Sequence, residues 1–71
     1  MRPRAGVNDM LLQRVRGEFG EMPGLRLTLE QAMRLWALDW RTCIDVLNSL
    51  VAAHFLERDL NGRYARAHPG Y

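Results

Sequence analysis

Only three residues, Ala37-Leu38-Asp39, separate two amphipathic runs, and this spacing constrains the chain more than any other feature. In the first run Leu29, Ala32, Met33 and Trp36 recur at i, i+3, i+4 and i+7, one face of a helix. Thr28 precedes the run and Gln31 follows three residues later, a capping-box pattern, so the spacing predicts a helix over 29–37. In the second run Asp39 supplies an N-cap, and Cys43, Leu47, Leu50 and His54 share a face flanked by Val46 and Val51. That predicts a helix over 40–53. A link this short forces a sharp turn between the two helices, the geometry of a helix-turn-helix pair.

Upstream, Asn8 offers another N-cap, Asp9 sits in the favourable first turn, and Leu11, Leu12, Val15 and Phe19 recur at helical spacing. The expected helix spans 9–20, with Gly17 weakening it by about 1 kcal/mol relative to alanine. Met22-Pro23-Gly24 then breaks the chain, and Leu25-Arg26-Leu27 alternates long enough for one short strand. Downstream, "FLERDLNGRYARA" (55–67) reads as a hairpin turning at Asp59-Leu60-Asn61-Gly62. A three-residue strand is useless alone but becomes stable as the third strand beside that hairpin. The expected fold is mainly α with a small β-hairpin, a three-helix bundle in the order helix-strand-helix-helix-strand-strand. Residues 1–7 read as a disordered arm, 8–67 as the domain and 68–71 as a flexible tail.

Composition bounds what such a domain can do. At 71 residues there is room for one core, and 48% hydrophobic with 25% charged residues is an ordinary globular balance. The single cysteine, Cys43, cannot form an internal disulfide or build a metal site with His54 and His68. Cys43 and His54 share a stripe but stand roughly 16 Å apart along a helix, too far for a nucleophile and its base. With no phosphate loop and no metal-ligand spacing, neither an enzyme nor a cofactor or metal protein is expected. Apolar runs are short and Met1–Val7 is too short and polar for a signal peptide, so the chain reads as cytoplasmic.

Residues 25 to 66 resemble the winged helix-turn-helix DNA-binding domain of bacterial transcription regulators such as the MarR and GntR families. The matching positions are Leu27-Thr28 at the start of the second helix, Leu38-Asp39 at the turn and Thr42-Cys43 opening the third helix. To these are added Leu50 four residues before His54, Phe55-Leu56-Glu57-Arg58 leading into the wing, and Gly62 at its tip. Short bacterial proteins made of one such domain look similar. The resemblance implies a third helix in the major groove of double-stranded DNA, contacting it through Arg41, Thr42, Asp45, Asn48 and Ser49, with Ala52 on the same outward face. Arg58, Arg63 and Arg66 would hold phosphates from the wing. Specific binding by so small a module implies a homodimer on two half-sites. His54 stands where the family usually has glycine after the third helix.

Charge leaves a second reading open. The net charge is +2 and all ten basic residues are arginine, which suits phosphate and guanine contacts but also follows from GC-rich coding. Residues 1–16 sum to +3, 17–47 to −2 and 48–71 to +1. Positive charge thus avoids the third helix, where Asp45 either reads a cytosine amino group or lies on a solvated face. Trp36 belongs to the buried face of its helix, whereas Trp40 is harder to bury and marks a possible interface. The alternative function is a protein-interaction or dimerisation module without DNA binding.

Overall fold

A computed structural model of the chain describes residues 9–67. The expected arm, the Asn8 cap and the tail with His68 lie outside the described residues. The elements are α1 (Asp9–Glu21), β1 (Arg26–Leu27), α2 (Leu29–Trp36), α3 (Trp40–Ala52), β2 (Leu56–Arg58) and β3 (Tyr64–Arg66). The order and all six elements match the sequence expectation, with ends within a residue or two. The three strands form one antiparallel sheet, β1-β3-β2, with Arg26 beside Ala65 and Leu27 beside Tyr64. The last strand is thus the central one, because only it has neighbours to pair with on both sides.

α3 is the shared element. Its Cys43, Val46, Leu47 and Leu50 are buried, and α1, α2 and β2 all pack on it. Val15 and Phe19 enter the core from α1, Ala32 and Trp36 from α2, and Leu56 and Tyr64 from the sheet. Phe19 meets Trp36 with ring centroids 6.0 Å apart and planes inclined by 55°, a tilted geometry suited to the ring quadrupoles. Cys43 is a small core residue: burial foremost, and secondarily the charge of Asp39, push its thiol pKa up.

Local chemistry sets where the helices start. The Thr28 hydroxyl accepts from the Gln31 amide at 3.2 Å while the Thr28 amide donates to Gln31 Oε1 at 3.0 Å, completing the capping box. Asp39 Oδ2 accepts from the Thr42 amide at 3.1 Å and caps α3.

Both helices end in the same way. Ala37 (φ 53°) and His54 (φ 63°) are left-handed, although neither is glycine. Leu38 N–H reaches back to Met33 C=O at 2.9 Å, and Phe55 N–H to Leu50 C=O at 3.0 Å, the six-to-one bond of a Schellman ending. This corrects the position of His54. The apolar face of α3 closes at Leu50, and His54 stands exposed beyond the helix at the corner that starts the hairpin.

These backbone states invite two opposite exchanges. Gly17 lies in the interior of α1 with nothing within 4 Å of where a Cβ would stand. Gly17→Ala is expected to stabilise the fold by about 0.5–1 kcal/mol by lowering the entropy of the unfolded chain. Ala37→Gly should gain a similar amount by removing the left-handed penalty. Thermal unfolding checks both: each midpoint should rise by about 2–8 °C.

Candidate nucleic-acid interface

α3 is 13 residues long, so Trp40 and Ala52 lie about 18 Å apart along its axis. Of its expected outward residues, Arg41, Asn48 and Ala52 are exposed, while Thr42, Asp45 and Ser49 are half-buried. Hydrogen bonding from Thr42, by its hydroxyl first and its amide second, holds the Asp39 carboxyl below its ordinary value. Thr42 is therefore tied to the cap that starts the helix, its amide donating to Asp39. Trp40 is 54% exposed, and the Arg41 guanidinium lies 6.0 Å from its ring centre, so an aromatic face and a cation stand together at the amino end of α3.

The hairpin presents its charge in two places. At the tip, Asp59 organises the turn: its Oδ1 accepts from the Asn61 and Arg63 amides, each at 2.9 Å, and its carbonyl accepts from Gly62 N–H at 3.0 Å. Gly62, at φ 78°, takes the left-handed position that a three-residue hairpin loop requires. The Arg63 amide, chiefly, depresses the Asp59 pKa, with smaller contributions from the Asn61 amide and the charges of Arg63 and Arg26. Arg58 and Arg63 are exposed, and Arg58 leans over Tyr64 at 5.9 Å. Leu60 between them is wholly exposed at 105%, an apolar side chain that no packing argument explains.

At the base, Arg66 is half-buried and lies 5.0 Å from the centre of the Phe55 ring. Its Nε is covered and has no hydrogen-bond partner. Arg16 from α1 lies 5.0 Å from the same ring. The eight expected contact residues therefore fall into three groups: the α3 face, the hairpin tip, and Arg66 at the base with Arg16. Sequence reasoning did not pair Arg16 with Arg66, because no spacing in the chain links residues 50 positions apart.

The outer face of the sheet carries a shallow groove of about 440 Å³, where Arg26, Ala65 and Glu57 lie side by side across the three strands, and Asp59, which feels the charge of Arg26, stands at its edge. Among the described residues no group of His, Cys, Asp or Glu could hold a metal ion, and no helix is long and apolar enough to cross a membrane. No protein-family model, no curated protein and no solved structure matches this chain.

The two turn-forming aspartates predict a pH dependence. Both carboxyls lie below their ordinary value in the folded protein, so ionisation favours folding. Their contribution is full above the unfolded-state pKa of about 3.9 and is lost as pH falls through the folded values. Asparagine keeps an acceptor oxygen in the cap and the turn. The double variant Asp39→Asn/Asp59→Asn should therefore fold, and its urea midpoint should fall less than that of the parent between about pH 5 and pH 3. Equal falls in both proteins would remove these carboxylates from the account.

Proposed function

We propose that the chain is a winged helix domain that binds double-stranded DNA as a transcription regulator, with α3 in the major groove and the β2–β3 hairpin as the wing on the flanking backbone. The observation that carries this reading is the hairpin tip. The Asp59–Gly62 turn is held by four hydrogen bonds around one aspartate, and it presents exposed Arg58 and Arg63 away from the core. The paired strand β1, the tight Ala37–Asp39 turn and the resemblance over residues 25 to 66 support the same reading.

In this reading Arg41 and Asn48 are the principal groups on α3, since both are exposed. Thr42, Asp45 and Ser49 contribute less, being half-buried, and Thr42 also serves the cap. An α3 so poor in cations gives little non-specific affinity, so the arginines of the tip supply most of the phosphate attraction. Sequence is read by few side chains, and two copies on adjacent half-sites would provide the specificity that one lacks. The protein acts by binding rather than by catalysis, in the bacterial cytoplasm where the DNA is.

A second reading has an observation of its own. Trp40, Leu35 and Leu60 are large apolar side chains at least half exposed, and exposed tryptophan is a favoured anchor of protein interfaces. The fold would then serve as an interaction or dimerisation module.

Random duplex DNA at low and moderate salt separates the two. Arg63→Ala is expected to weaken binding about uniformly across sequences and to lower the slope of log affinity against log salt by about 1. Arg41→Ala should cost about 1–3 kcal/mol on a preferred site. If both variants bind duplex as the parent does, with the same salt slope, the DNA reading is wrong and the interaction module takes its place.

A further inference from the structure

We propose that Arg16, Phe55 and Arg66 form a phosphate-binding cradle at the base of the hairpin, separate from the arginines at its tip. Three distant parts of the chain build it. Arg66 pairs with Leu56 in the ladder, Ala67 N–H closes on Phe55 C=O at 2.9 Å, and α1 packs against β3 and brings Arg16 to the same ring. Each guanidinium carbon is 5.0 Å from the Phe55 ring centre, so the two charges are no further apart than twice that distance. Three residue steps of extended chain, about 10 Å, separate Arg66 from Arg63 at the tip.

The arrangement lacks a counter-charge. Neither arginine forms an ion pair among the described residues, where Arg66 Nε is the only buried side-chain nitrogen or oxygen without a hydrogen-bond partner. Attraction to the ring face holds each guanidinium but does not neutralise it, and a covered donor without an acceptor is unfavourable. A bound anion would offset both. A carboxylate can bridge two guanidiniums through its two oxygens, but a phosphoryl group brings more negative charge and a third oxygen, and so answers two positive forks more fully. Charge and oxygen count therefore favour a phosphoryl oxyanion, either free phosphate or the phosphodiester of a nucleic acid. The cradle stands independently of DNA binding by α3 and the tip.

The test is a titration of the whole chain with inorganic phosphate, followed by the Nε–Hε resonances of its arginines and the ring resonances of Phe55, against chloride at equal ionic strength. Arg16, Arg66 and Phe55 signals are expected to move and saturate with phosphate alone, while those of Arg34, exposed on α2, stay in place. Arg16 is exposed, so Arg16→Gln should remain folded and weaken the Arg66 response at least about tenfold, the worth of one charge-assisted hydrogen bond. Arg66→Lys keeps the charge without the fork and should also weaken it. Shifts that chloride reproduces, that appear equally at Arg34, or that survive Arg16→Gln at full affinity overturn the cradle. A duplex arm identifies the source: movement of the same signals with duplex supports the phosphodiester, and movement with inorganic phosphate alone supports free phosphate. Because the phosphate arm contains no nucleic acid, its result is separate from the outcome for Arg63 and Arg41.

Discussion

The buried stripe of α3 is the constraint on which the rest depends. Cys43, Val46, Leu47 and Leu50 sit at helical spacing on one face, and each of the other two helices and the sheet finishes its own apolar surface against that face. A domain of this length has one core and, with a lone buried cysteine, no covalent staple. Truncating Leu47 would open a cavity in that one core, whereas a change at exposed Ala52 meets solvent.

Two backbone corners convert that core into a defined shape. α2 ends at left-handed Ala37 and α3 at left-handed His54, and each corner redirects the chain within two residues. Both conformations are unfavourable for residues with a Cβ, and they persist because flanking bonds and packing determine them: Leu38 and Phe55, which donate the six-to-one bonds, also pack on the core. The first corner sets the angle at which α3 leaves α2. The second launches the hairpin, and so decides that its base lies beside α1 while its tip projects away.

The arginines are distributed accordingly. Aromatic rings hold four of them, Arg41 on Trp40, Arg58 on Tyr64, and Arg16 with Arg66 on Phe55, so cations are positioned by stacking rather than by carboxylates. Charges held in this way keep their attraction for an external anion, because no ion pair among the described residues neutralises them. At the tip, by contrast, Asp59 serves the turn and partly answers Arg63 and Arg26. This contrast is why the base of the hairpin, half-buried as it is, is the less compensated of the two basic clusters.

Much of the architecture was legible in the sequence, because its signals are local. Thr28 and Gln31 specify a capping box, Asp39 a cap, Asp59 to Gly62 a turn, and the apolar spacing of each run its buried face. Even the pairing of Arg26–Leu27, within the expected strand 25–27, with the hairpin followed from the instability of so short a strand alone. What local signals do not contain is which distant side chains share a place. That Arg16 meets Arg66 across Phe55, that Thr42 and Asp45 are half-buried, and that Leu60 stands clear of every neighbour were decided only when α1 and the sheet closed on α3. Spacing along a chain determines the faces of its elements; their meeting is set by packing, which depends on all the elements together.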